Sequence, residues 1–117
     1  MNSKIKQLEF EELLWLIFIG LSFLNIYGDK LEEKFIITND NSNKAKSNKI
    51  FKFTLIITLF IYIYFLIRNY NEYKNANQKE KNLYIIKVLG SSLLISGVIC
   101  LIYFQNKQTD FVGSPSI

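Results

Sequence analysis

The chain has no histidine at all and a single cysteine, Cys100, among its 117 residues. Those two scarcities remove whole classes of chemistry. Histidine-dependent triads, histidine or cysteine zinc sites, haem held by histidine and a disulfide within the chain all need residues that are missing. Cys100 lies deep in an apolar run, where a thiol is hard to ionise, so it reads as a small packing residue. No calcium-loop pattern, glycine-rich phosphate loop or serine elbow occurs, so the sequence nominates no catalytic, cofactor-binding or metal-binding residue and is read as non-enzymatic. Acidic residues are also missing from the centre of every apolar run.

What the chain has in abundance is hydrophobic length. Half of the residues are apolar and 21% are charged, and the charges fall almost entirely outside three runs, Leu13 to Tyr27, Ile50 to Ile67 and Val88 to Asn106. The mean hydropathy of +0.14 hides this segregation by averaging the runs with very polar connectors. A helix rises about 1.5 Å per residue and a bilayer core is about 30 Å thick, so a span takes about 20 residues. The runs come close to that length and are apolar all round rather than on one stripe, which suits lipid on some faces and helices on others. The expected fold is all-α, a three-helix integral membrane protein in one domain, with spans at about 10–27, 50–67 and 85–106. The first run is read as a retained helix and not a secretory signal, because Glu9, Glu11 and Glu12 intervene and no small-residue cleavage site follows.

The connectors carry their own expectations. Gly28-Asp29 breaks the first run, and Leu31 to Ile37 then forms a short interfacial helix, with Leu31 and Phe35 on the face of Tyr27 and opposite Glu32 and Glu33. Residues 38–49, rich in Asn, Ser and Lys, form a solvated linker with too little apolar surface to fold alone. Residues 68–84 connect the last two spans as a helical hairpin turning near Asn75-Ala-Asn77. Tyr62, Tyr64, Tyr70, Tyr73 and Tyr84 gather there as an interfacial aromatic belt. Gly113-Ser114-Pro115 stops further helix in the tail. Loop Lys and Arg residues tie at six on each side, so charge counting assigns no orientation. The net charge of +4 flanks the spans and alternates with Asn, Tyr and Glu, which fits an anionic bilayer and not nucleic acid.

Two groups of residues stand out. Gly90, Ser92, Ser96, Gly97 and Cys100 gather on less than half the circumference of the third helix, where another helix, in this chain or another, could approach closely. Glu12, Asn25 and Lys87 are the polar candidates near membrane depth. Glu12 lies before its run and reads as interfacial, Asn25 is placed to hydrogen-bond another helix, and Lys87 either pairs with an acid of the first helix or snorkels to the headgroups. Asp29, Glu32 and Glu33 offer three carboxylates to a divalent cation, but read better as a solvated helix face.

The strings Asn25-Ile-Tyr-Gly-Asp29, Tyr70-Asn-Glu-Tyr-Lys-Asn75, Leu89-Gly-Ser-Ser92 and Phe111-Val-Gly-Ser-Pro115 resemble parts of small uncharacterised multi-pass membrane proteins of low-GC Gram-positive bacteria. The resemblance implies a bacterial cytoplasmic membrane and carries over no mechanism. The expected partners are the lipid bilayer and either a membrane-protein partner or further copies of the chain. The function expected is that of an accessory, regulatory or self-associating protein acting through helix packing. The alternatives are an oligomeric minimal transporter or pore, and a holin-like or bacteriocin-immunity-type membrane protein.

Overall fold

A computed structural model describes residues 2–107 together with Gly113 and Pro115. It is all-helical, with α1 at Asn2–Thr38, α2 at Asn41–Asn75 and α3 at Gln78–Lys107, and each helix is long and apolar enough to cross a membrane. Helices are the form that lets a lipid-facing segment satisfy its own backbone hydrogen bonds. The helices pack as two compact units. One holds α1, the first part of α2 through Thr54, and Gly113; the other holds α2 from Leu55 and α3.

Two expectations about the connectors are corrected. Residues 41–49 are not a linker but the first turns of α2. Extending a helix already nucleated by the adjoining span costs far less than starting one, and Lys44 and Ser47 are buried, so packing overrides the polar composition. The separate interfacial helix at 31–37 is likewise absent, because α1 continues without a break through Gly28 and Asp29. Gly28 is buried in mid-helix, and its missing side chain leaves room for Phe51 of α2, as set out below. The tail expected to be irregular lies mostly outside the described residues, but Gly113 has φ 105°, a conformation that favours glycine.

The α1–α2 reversal takes only two residues. Asn39 ends α1 in the left-handed region at φ 57°, its N–H donating to the Phe35 carbonyl at 2.7 Å. Asp40 caps α2, with Oδ1 accepting from the Ser42 N–H at 3.0 Å and from Ser42 Oγ at 2.9 Å. These bonds hold the Asp40 carboxyl below its ordinary range, the Ser42 backbone N–H first and its hydroxyl second. A carboxylate whose pKa is lowered by folding contributes stability above its unfolded pKa and loses it as pH falls through the folded value. Acidification below about pH 4 should therefore lower the protection of the amides in the first turn of α2 relative to their intrinsic exchange rate at each pH. Asp40→Asn, which keeps an oxygen acceptor, should reduce that acid sensitivity; exchange at residues 42–44 in mild detergent is the measurement. At the second reversal, Asn77 Oδ1 accepts the Glu80 N–H at 3.0 Å and so caps α3.

Burial follows alternating steps of three and four residues, the spacing of a coiled-coil seam. On α1 the buried and half-buried positions include Leu14, Phe18, Leu21, Asn25, Gly28, Glu32 and Phe35; on α2 the buried ones include Lys44, Ser47, Phe51, Thr54, Thr58 and Ile61; on α3 they are Ser91, Val98 and Gln105. Four of the largest fully buried side chains, Glu32, Thr54, Thr58 and Ser47, are polar. Phe23, Phe60, Leu16 and Leu93 are meanwhile more than 60% exposed. A water-soluble bundle sorts its residues the other way round. Polar seams with apolar outer faces are what a lipid solvent permits, since burying Leu gains nothing there while an unpaired hydroxyl or amide is costly.

Candidate functional site

Each unit carries one polar cluster, built from seam positions on adjoining helices. In the first unit the centre is Glu32, four residues and one turn beyond Gly28 on α1. Its Oε1 accepts from Lys44 Nζ at 2.7 Å and from Ser47 Oγ at 3.2 Å, and its Oε2 accepts from the Gly113 N–H. The Ser47 hydroxyl also reaches the Lys44 carbonyl at 2.9 Å. The side chains of Lys44 and Glu32 are only 9% and 2% exposed, so this ion pair is shielded from water. Further along the same seam, Thr54 Oγ1 donates to Asn25 Oδ1 at 3.0 Å and joins α2 to α1.

In the second unit Glu72 lies between two cations, with Arg68 Nε at 3.5 Å and Lys87 Nζ at 3.2 Å. One turn away Asn69 Nδ2 donates to Ser91 Oγ at 2.6 Å, and both residues are buried. The Asn69 Oδ1 atom is buried without a hydrogen-bond partner among the described residues.

The residues singled out from the sequence divide between these clusters and the outer surface. Asn25 does bond another helix. Lys87 neither pairs with an acid of α1 nor stands alone, since its partner is Glu72 on α2; the i and i+15 positions meet only because the hairpin brings them together. Glu12 is exposed on α1. Asp29, Glu32 and Glu33 do not converge: Glu32 turns inward to Lys44, Glu33 pairs with Lys30 at 3.3 Å, and Asp29 is exposed. Among the described residues no group of three acids or cysteines is placed to hold a metal ion.

Most of the small residues of α3 are not used by the packing of the described residues. Gly90, Ser96, Gly97 and Cys100 are exposed, Ser92 is half-buried, and a side chain added at Gly90 or Gly97 would meet nothing within 4 Å. Ser96 Oγ turns back to the Ser92 carbonyl at 3.0 Å. The buried positions Ser91, Val98 and Gln105 lie on the other side of the helix.

Sequence reasoning missed Glu32, Lys44 and Ser47 because they sit outside the apolar runs and were read as solvated. The signal was present in spacing, since Asn25, Gly28 and Glu32 follow the same three-four rhythm as Leu14, Phe18 and Leu21. Chemically, both clusters direct their polar atoms at one another, which holds helices together and leaves few groups facing outward. The Asn25–Thr54 bond should show a coupling of about 0.6 kcal/mol in a double-mutant cycle of Asn25→Ala and Thr54→Val, measured by unfolding in detergent. A coupling indistinguishable from zero would mean that the two helices are held by packing alone at this depth.

The structure thus defines an all-helical protein with three helices able to span a membrane and polar seams between them. Compared with protein families, curated proteins and solved structures, the chain matches none.

Proposed function

We propose that this protein acts by binding through its helices within a membrane, as an accessory or regulatory subunit or by self-association, and that the membrane is the bacterial cytoplasmic one. The observation that carries the reading is the outer face of α3. Gly90, Ser96, Gly97 and Cys100 leave a shallow track there that the packing of the described residues does not occupy. Lipid chains fill such a track less closely than a second helix does, because small residues let two backbones approach and gain dispersion contacts. Binding of this kind needs no catalytic group. A pore or transporter reading draws less support, since Asn25 and Lys87 are already engaged by Thr54 and Glu72.

The test is purification of the tagged protein from its native membrane in mild detergent, with mass and composition of the complex determined. The expected species is larger than the 13.7 kDa chain, containing either a stoichiometric partner or several copies. Gly97→Leu, which fills the track without touching the chain's own seams, should shift that species to the single chain. A monomeric unaltered protein would overturn the proposal.

A further inference from the structure

The two helical reversals use their charges differently. Residues 29–49 hold five lysines and four acids, leaving one positive charge. There Lys44 is buried against Glu32 and Lys30 is paired with Glu33, while the exposed Lys34, Lys46 and Lys49 are offset in part by Asp29 and Asp40. Residues 68–87 hold five basic residues and two acids, leaving three positive charges. Of those two acids, Glu72 is already shared by Arg68 and Lys87. Among the described residues Lys74, Lys79 and Lys81 make no ion pair, and all three are exposed or half-exposed.

Aromatic rings fix where two of these ammonium groups sit. Lys74 Nζ lies 5.6 Å from the Tyr70 ring centre and Lys81 Nζ 5.6 Å from that of Tyr73, while the two rings stack at 6.4 Å. Both distances are within cation–π range. The apolar outer surface reaches this end of the hairpin, with Ile67 and Tyr70 exposed on α2 and Leu83 and Ile86 on α3. Lys74 stands seven residues beyond Ile67, and Lys81 seven before Val88, which is about 10 Å along each helix axis. A lysine stem can lean back over part of that distance, and charge is felt over about 8 Å at physiological salt. The three lysines therefore lie within reach of the headgroup phosphates.

From this we infer that the α2–α3 reversal binds anionic phospholipid headgroups of the adjoining leaflet through Lys74, Lys79 and Lys81, with Tyr70 and Tyr73 holding the ammonium groups at phosphate level. Cations beside a span attract anionic lipid by about fivefold in partitioning per charge, and acids close by offset that attraction. The inference is independent of the packing face on α3.

The test titrates the full chain in mild detergent with phosphatidylglycerol or phosphatidylcholine and counts retained lipids by native mass spectrometry. The unaltered protein should retain phosphatidylglycerol preferentially. The triple substitution Lys74→Gln, Lys79→Gln and Lys81→Gln should lower that retention at least tenfold, to the phosphatidylcholine level. Removing the same charge at the other reversal, with Lys30→Gln, Lys34→Gln and Lys46→Gln, should lower the preference far less, because acids already offset most of the charge there. Equal retention of the two lipids by the unaltered protein overturns the inference, and that comparison does not depend on any variant folding. So does a hairpin variant that binds like the unaltered protein, or a control variant that loses as much.

Discussion

Glu32→Ala is expected to destabilise the protein by about 3–5 kcal/mol, among the largest effects available to a single substitution here. The carboxylate is almost completely enclosed, with the Lys44 ammonium 2.7 Å away and the Ser47 hydroxyl and Gly113 N–H on its remaining lone pairs. Removing it takes the carboxylate away from a buried ammonium and the acceptor away from the Gly113 N–H. The pair itself need not be strongly stabilising, because taking both charges out of water offsets much of their attraction. The double substitution Glu32→Leu with Lys44→Met should consequently lie close to the unaltered protein and well above Glu32→Ala. Equilibrium unfolding in mild detergent, followed by circular dichroism, separates these outcomes. A loss below about 1 kcal/mol for Glu32→Ala would be the behaviour of a hydrated surface pair and would contradict the burial described above.

Gly28 should be the second sensitive position, and here the sign of the effect is informative. Alanine is preferred to glycine in a helix interior by about 1 kcal/mol, so a free site should gain from Gly→Ala. At Gly28, however, a Cβ would stand 2.7 Å from Phe51 Cε1, closer than real Cβ contacts come, and a tight 3.0 Å from Cζ. Phe51 is itself 1% exposed, so its ring has nowhere to retreat. Overpacking of this kind costs about 1–3 kcal/mol, which exceeds the propensity gain. Gly28→Ala should therefore destabilise, Gly28→Leu should prevent α1 and α2 from closing, and Phe51→Leu should partly rescue Gly28→Ala. Gly20→Ala provides the contrast, since a Cβ there meets nothing within 4 Å and the substitution should be neutral or stabilising. If both alanine variants shifted stability in the same direction, the close helix approach at Gly28 would be refuted.

These two positions also mark where reading the sequence stops working. Gly28-Asp29 and the Asn- and Lys-rich stretch after it look like interruptions, because glycine and small polar residues are poor helix formers when considered alone. In the folded chain the glycine admits Phe51, and the polar stretch supplies Lys44 and Ser47 to Glu32. Both reversals of meaning depend on a partner residue on the next helix. Lys87 shows the same limit, because its carboxylate partner lies 15 positions earlier and is identified only by the register of the α2–α3 hairpin. Asn25 was easier, since a lone amide inside an apolar run must find a hydrogen bond wherever the helices lie.

The sequence by itself determined that this chain is all-helical with three candidate membrane spans, because backbone hydrogen bonding in lipid leaves an apolar run of that length almost no other form. It also determined the absence of histidine chemistry and of disulfides within the chain. Only the tertiary structure decided which polar residues are seam and which are surface. It enclosed Glu32 and Lys44 and joined Lys87 to Glu72, and among the described residues it left most of the small-residue face of α3 open and Lys74, Lys79 and Lys81 without carboxylate partners. Local sequence sets which segments coil, but the pairing of side chains across helices depends on register and rotation, and those follow from packing contacts far apart in the chain.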